Sequence, residues 1–259
     1  MSQVEVLISA MHQNDSSIFK KTNIQSNALM INQCDDDEFW EEERDCGKLR
    51  IISTKERGLS NSRNMAIENA MAKYALICDD DEFLYEGYPQ IIEKAFANNP
   101  KADIICFQVK YPKKSYSNKG FKLGFISISK ISSVQICLKL ESIKKANVKF
   151  NPNFGSGTPI GAGEENIFLR DCLKRKLNLY YEPICIGEVT QINSNWFKGF
   201  DEQYFYNRGV IIRNSDGPFW GVVYCFYFIF SKYNRYHSET SFKVACKNIF
   251  KGFFCGRTK

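Results

Sequence analysis

Four consecutive acids, Asp79, Asp80, Asp81 and Glu82, close a short apolar run in the stretch YALICDDDEFLY, residues 74–85. An apolar run of this length, bounded by charge, suits a buried strand. Carboxylates at the end of such a strand reach the edge of a sheet, where open α/β folds bind ligands. The Asp-x-Asp spacing of Asp79 and Asp81 brings two hard oxygen ligands together, close enough to share one Mg²⁺ or Mn²⁺ with a substrate diphosphate. Asp80 lies between them and, on a strand, points the opposite way. A bare DDDE is more often a solvated acidic turn, so its neighbours must decide.

The elements that would position these acids follow from hydrophobic patterning. Val4–Ser9, Ala28–Asn32, Leu49–Ser53 and Tyr74–Cys78 read as four strands, the last delivering the acids. Between the third and fourth lies GLSNSRNMAIENAMA, with Ser60 as a plausible N-cap and Met65, Ile67, Ala70 and Met71 as an apolar helix face. A helix over Pro89–Ala97 and a strand over Ala102–Val109 follow. This alternation predicts a three-layer α/β domain. Gly155–Gly163 (GSGTPIGAG) has the composition of a mobile loop and opens directly onto EENIFLRDCLKRKL, which repeats near helical period. Tyr180–Ile186 reads as a strand.

Composition excludes several classes. The 259 residues are 44% hydrophobic and 25% charged, ordinary for a globular chain with a sizeable core. Ten cysteines accompany an N-terminus without a secretory pattern, form no CxxC pair and meet only two histidines. They read as mostly buried free thiols in a reducing cytosol rather than disulfides or a zinc site. The acidic run 35–45 (DDDEFWEEERD) reads as a solvated loop. Gly217–Tyr233 is aromatic and apolar but, at about fifteen uncharged residues, short of the roughly 20 that span a bilayer. Its Trp220, Tyr224, Tyr227 and Tyr233 suit either a membrane interface or a buried closing helix, and a basic amphipathic stretch, Ser241–Phe253, follows.

Three motifs in order, GLSNSRN, CDDDE and GAGEEN, resemble the family 2 glycosyltransferases, inverting enzymes of GT-A fold that use nucleotide-sugars. The resemblance spans roughly residues 4–210 and rests on Gly58, Leu59, Ser60, Arg63 and Asn64, on Asp79 and Asp81, and on Gly163, Glu164 and Glu165. It implies a Rossmann-like nucleotide-sugar-binding sandwich with a C-terminal helical appendage. Residues 1–110 would form the donor half, 111–215 the acceptor half and 216–259 a helical tail.

The resemblance also implies roles. Asp81, with Asp79, would hold Mn²⁺ or Mg²⁺ against the leaving diphosphate, or Asp79 would bond the ribose. Glu165 aligns with the family's aspartate base, with Glu164 as its rival, and a first-turn position favours an ionised carboxylate. Arg63 suits the donor diphosphate or the organisation of the acids. The base of a UDP-sugar would lie near Ser9, Ala10 and Met11, with Asn32 and Gln33 where relatives carry an aspartate. The late metal-binding histidine of many relatives has no counterpart in IGEVTQINSNWF, and Gln203 and Arg208 lack the spacing of processive synthases. A single-addition transferase acting on a glycan acceptor, undecaprenyl-linked and met at the inner face of the plasma membrane through the tail, is the expectation. A nucleotidyltransferase would want a glycine- and lysine-bearing phosphate loop, which SAMHQND lacks. The localised basic charge carries no nucleic-acid motif, so no nucleic-acid partner is expected.

Overall fold

The computed structural model describes residues 2–111, 114–190 and 199–256. The first third alternates strands and helices: β1 (Val4–Met11), α1 (Ser17–Lys21), β2 (Asn27–Gln33), β3 (Glu38–Arg44), β4 (Gly47–Thr54), α2 (Leu59–Asn69) and β5 (Tyr74–Asp79). The middle comprises β6 (Glu82–Leu84), α3 (Tyr88–Asn98), β7 (Ile104–Lys110), β8 (Phe121–Lys122), β9 (Ile136–Lys139), α4 (Leu140–Ala146), α5 (Glu164–Lys174) and β10 (Leu179–Val189). Three helices end the chain, α6 (Glu202–Ser231), α7 (Tyr233–Tyr236) and α8 (Phe242–Cys255).

One sheet runs through the molecule in the order β3-β4-β2-β1-β5-β9-β7-β10-β6. β4, β2, β1 and β5 are mutually parallel and buried on both faces; α1 joins β1 to β2 and α2 joins β4 to β5, while β2 reaches β4 through the edge strand β3. That is why these strands read as near-continuous apolar runs. Ile8, Met30 and Leu76 pack with Phe19 of α1 and Phe96 of α3 on one face. Leu7, Leu29 and Ile77 pack with Ile67 of α2, Ile143 of α4 and Phe168 of α5 on the other. The result is the α/β/α sandwich expected from the alternation.

Two sequence expectations are corrected. The acidic run is largely an exposed edge strand, β3, paired antiparallel to β4. Its charges blunt an otherwise open sheet edge, and Lys48 answers them at 3.4 Å from both Glu41 and Glu43. Ser60 does not cap α2. Gly58 does, at φ 103°, and the Ser60 hydroxyl instead donates to the Phe154 carbonyl at 2.7 Å. All ten cysteines are free thiols, five of them buried.

The tail packs on itself as a closing helical hairpin. α6 bends at Gly217, where the backbone adopts φ 72° ahead of Pro218. Beyond it the chain returns through α7 and α8 onto the first half of α6, with Gly209 against the Ile249 carbonyl and Gly252 against that of Tyr206. Phe205, Ile212, Phe228, Ile249 and Phe253 form the core of this hairpin. Its outer face leaves Phe219, Trp220 and Phe230 exposed, at 72%, 68% and 64%. Among the described residues, no helix is long and apolar enough to cross a membrane.

Candidate active site

Parallel pairing of β1 with β5 sets Ser9 beside Asp79 in register, so both side chains reach the same face at the strands' carboxyl ends. α2 runs beneath that face. Its Ser62 hydroxyl lies 2.8 Å from that of Ser9, and its Asn64 exchanges two 2.8 Å hydrogen bonds with the backbone of Phe150. Leu59 N–H donates to the Ser156 carbonyl at 3.1 Å. The GLSNSRN motif therefore clamps the loop that leads into α5.

Arg63 closes the constellation. It is 2% exposed, donates to Asp79 Oδ1 at 2.9 Å and to Glu164 Oε1 at 2.7 Å, and lies over the Phe150 ring at 5.6 Å. Burial opposes its charge, yet Asp79 and Glu164 hold the guanidinium above its ordinary pKa. Of the two roles open to Arg63, this geometry is the organising one: it ties the acid turn to the start of α5. Gly163 caps α5 at φ 90°, where a side chain would strike Ile211 of α6 at 2.7 Å. The glycine thus lets α6 press against the helix start.

Asp80 and Asp81 sit in a two-residue turn between β5 and β6. Strand alternation therefore does not govern Asp80, contrary to the sequence reading. The turn is pinned from outside. Lys21 donates to the Asp80 carbonyl at 2.7 Å, and Thr190 donates to the Asp81 carbonyl through both N–H (2.8 Å) and hydroxyl (2.7 Å). Burial, and then the charges of Asp79 and Asp80, raise the Asp81 carboxyl; burial, and Asp79 against the pull of Lys21, raise Asp80. Glu82, 1% exposed, accepts the Asp79 N–H at 2.9 Å, and its second oxygen has no hydrogen-bond partner among the described residues. Burial, followed by the charge of Asp79, pushes Glu82 well above its ordinary value.

The donor set fits a divalent cation. Repelling carboxylates crowd one sheet edge, and Asp81 has no ion-pair partner among the described residues. No three His, Cys, Asp or Glu side chains enclose an ion among the described residues, so part of its shell would come from substrate phosphate and water.

Glu165 forms no ion pair with Arg63. Asn166 donates to its Oε1 at 2.6 Å. Burial and then the neighbouring Glu164 raise its carboxyl to about 8, with Arg63 and Arg208 pulling the other way. A first-turn position alone would favour ionisation, but burial outweighs it here. Glu164, by contrast, is bound to Arg63.

The expected base-binding residues are brought together only in part. Ser9 is spent on Ser62, Ala10 is buried in the opposite core layer, and Met11 is exposed. Asn32 Oδ1 accepts the Gln13 N–H and its Nδ2 donates to the Gln13 carbonyl, both at 2.9 Å. Its amide thus fixes the loop after β1 rather than presenting itself to a base. Gln33 is buried, and its carbonyl accepts the His12 N–H at 3.2 Å. A cavity of about 310 Å³ opens beside Asn32, between Gln13, Trp40 and Ser53.

Sequence reasoning missed Lys21, Thr190, Lys114 and Arg208. Lys114 donates to Ser132 (2.8 Å) and Gln135 (2.7 Å), and burial lowers it to about 8 with Glu165 opposing. No local motif marks it in YPKKSYS. Residues 191–198, within the stretch where relatives carry a histidine, lie outside the described residues.

A family model described as glycosyl transferase family 2 matches residues 16–175, more than half of the chain. The chain belongs to glycosyl transferase family 2. Solved structures agree on the fold. TarS 1–349 from S. aureus in complex with UDP-GlcNAc superposes with TM-score 0.60 at 12% identity, covering 91% of this chain and 74% of that one. Another TarS 1–349 structure gives 0.56 at 11% identity, covering 82% and 64%. The mannosyltransferase PcManGT from Pyrobaculum calidifontis, in complex with GDP-Man and Mn²⁺, gives 0.52 at 10%, covering 82% and 63%. The chain thus spans just under two thirds of the length of the latter two. A search of curated protein sequences gave no match.

Proposed function

We propose that this protein is a metal-dependent inverting glycosyltransferase that moves one sugar from a nucleotide-sugar to a glycan acceptor. The observation that carries the reading is Arg63, whose single buried guanidinium joins the Asp79 turn to Glu164, the residue before Glu165 at the start of α5. Asp79 and Asp81 would hold Mn²⁺ or Mg²⁺, which when bound neutralises charge developing on the leaving diphosphate.

The chain's own groups supply the rest. Glu165 takes the proton of the acceptor hydroxyl as its oxygen attacks the anomeric carbon. The new C–O bond forms on the face opposite the breaking bond to phosphate, and the nucleoside diphosphate departs with the bonding pair. One base and one displacement invert the anomeric centre. The loop over residues 155–163 lies between α2 and α5, where it would shield the donor from water.

UDP is the preferred nucleotide, supported by TarS structures in complex with UDP and UDP-GlcNAc, while PcManGT in complex with GDP-Man and Mn²⁺ supports the metal. Residues 1–110 would serve the donor, 111–215 the acceptor and 216–259 the acceptor's surroundings. The exposed aromatic face of the tail, with basic residues in α8, suits peripheral attachment to the inner face of the plasma membrane and a bacterial surface glycan carried on a lipid.

Thermal shift with a panel of nucleotide-sugars, with and without Mn²⁺, tests the core of this reading on wild type and Asp81→Ala. One donor should stabilise the wild type only with Mn²⁺ and fail to stabilise the variant. The absence of a shift with every donor at millimolar concentration would refute it.

A further inference from the structure

Beside Glu165 the protein carries a cation-lined cavity that the chemistry above does not use. About 370 Å³ opens between α5, α6 and the segment around Lys130, and Asn166, the residue bonded to Glu165, forms part of its wall. Lys130, Arg208, Lys232 and Arg235 line it. Its other cation, Arg170, is already neutralised by Asp216 at 2.9 Å, both being buried. None of the first four carries an ion-pair partner among the described residues, and residues 191–198 (QINSNWFK) contain no acid.

Arg208 is held in place, and the cations crowd one another. Arg208 lies over the rings of Tyr204 (5.6 Å) and Phe228 (5.1 Å), and its buried Nε has no hydrogen-bond partner among the described residues. Burial lowers the Lys232 pKa, and Arg235, Lys130 and Arg208 lower it further. Like charges gathered around a cavity whose one lining acid, Asp216, is already paired to Arg170 suit an anion with several oxygens.

The same cavity shares Ile126, Tyr224 and Tyr227 with a second groove of about 700 Å³. Phe125, Trp220 and Val223 complete its apolar walls. Its charged edges are the Arg170–Asp216 pair and Lys174, which is bonded to Asp171 at 2.8 Å. Phe125, Ile126, Trp220 and Val223 are 49–70% exposed, an apolar surface continuous with an anion pocket. A free phosphate has no use for this groove, and a neutral glycan has no use for the four cations. A molecule with a phosphate head and a hydrocarbon tail uses both.

We propose that the cationic cavity seats the phosphate or diphosphate of a lipid-linked acceptor. The hydrocarbon tail would lie along the apolar groove, and the sugar hydroxyl would face Glu165. This rests on the transferase reading and names where the acceptor's anionic linkage is recognised.

Farnesyl diphosphate is the probe, with inorganic pyrophosphate, farnesol and dioctanoylphosphatidylglycerol as comparisons, titrated by thermal shift and by tryptophan fluorescence. Farnesyl diphosphate should stabilise the protein even with UDP and Mn²⁺ saturating the donor site. Pyrophosphate should bind about tenfold more weakly or worse, and farnesol should give no shift. Lys232→Gln with Arg235→Gln, both near the surface turn after α6, should weaken farnesyl diphosphate about tenfold or more while the UDP shift persists. Lys130→Gln, at an exposed position, provides a second variant. Trp220→Ser should weaken farnesyl diphosphate but leave pyrophosphate unchanged. Displacement by UDP, equal affinity in the cation variants, or equal affinity for pyrophosphate would overturn the proposal. Equally tight binding of dioctanoylphosphatidylglycerol would also overturn it, in favour of a membrane contact. Loss of the UDP shift alone, with farnesyl diphosphate binding intact, would sink the transferase reading and leave the anionic-lipid subsite standing.

Discussion

Replacing Arg63 by methionine keeps much of the side chain's length and removes its charge, which leaves two carboxylates facing each other in a dry site. Glu164 is 8% exposed and Asp79 31%, so neither is solvated well enough to absorb the loss. Breaking a buried pair on one side costs about 3–5 kcal/mol, because a charge is left unpaired. For a chain of this size that corresponds to roughly 6–20 °C in melting temperature, at about 2–4 °C per kcal/mol. The assay is urea unfolding of wild type, Arg63→Met, Glu164→Gln and the double variant, followed by far-UV circular dichroism. Removing both members of a buried pair is far less damaging than removing one, so the double variant should recover about 1.5 kcal/mol or more relative to the sum of the singles. Arg63→Lys should recover only part, since one ammonium cannot fork to both oxygens as the guanidinium does. An Arg63→Met cost below about 1 kcal/mol, or strict additivity in the cycle, would refute the idea that this arginine holds the acid turn against α5.

Further outcomes follow from the same geometry. Glu165→Gln should lower kcat about 10²–10⁴-fold with donor binding unchanged, whereas Glu164→Gln should act mainly on stability; steady-state kinetics with isothermal titration separates the two. Because Glu165 is raised to about 8 and must lose its proton to act, kcat/KM should climb with pH towards 8, and a pH profile flat from 6 to 9 would count against it as the base. The linkage sign is the reverse for stability. A carboxyl raised in the fold from the ordinary 4.5 to about 8 binds more protons folded than unfolded, so its contribution is full below 4.5 and is lost as pH rises through 8. Glu82 is raised well above 4.5 by burial, so Glu82→Gln should flatten the decline of melting temperature above pH 4.5, measured by calorimetry across pH 4–9. On the tail, Trp220→Glu with Phe230→Glu alters only exposed positions and should abolish sedimentation with anionic liposomes if that face meets a membrane.

The sandwich was legible because parallel strands buried on both faces must be written as apolar runs, and β1, β2, β4 and β5 are. The acid turn was legible for the opposite reason: charge directly after such a run has nowhere to go but the sheet edge. What escaped was everything set by contacts distant in sequence. Arg63 meets Glu164 across 101 positions, and Thr190 pins Asp81 across 109. The Asn32 amide was visible, but not that Gln13 occupies it. β3 was read as a loop because an exposed strand with one hydrogen-bonded edge carries no apolar face to betray it. The four cations of the acceptor cavity come from Lys130, from α6 and from the turn beyond it, and no local pattern links them.

The choice between two adjacent glutamates illustrates what the fold adds to a motif. Consecutive residues on a helix point about 100° apart, so Glu164 and Glu165 present their carboxylates in different directions. Glu164 faces Arg63 and is already bonded to it, so abstracting a proton there would break the ion pair that holds the site together. Glu165 is bonded by Asn166, and Arg63, Lys114 and Arg208 exert their charge on it without an ion pair. A carboxylate in that position can gain a proton without dismantling the site. Its raised affinity for protons also makes it a stronger base than a solvated glutamate once the proton is gone. The division follows from the one-residue step between the two glutamates: the first is held by Arg63, and the second is the one the proposed mechanism assigns to the acceptor hydroxyl.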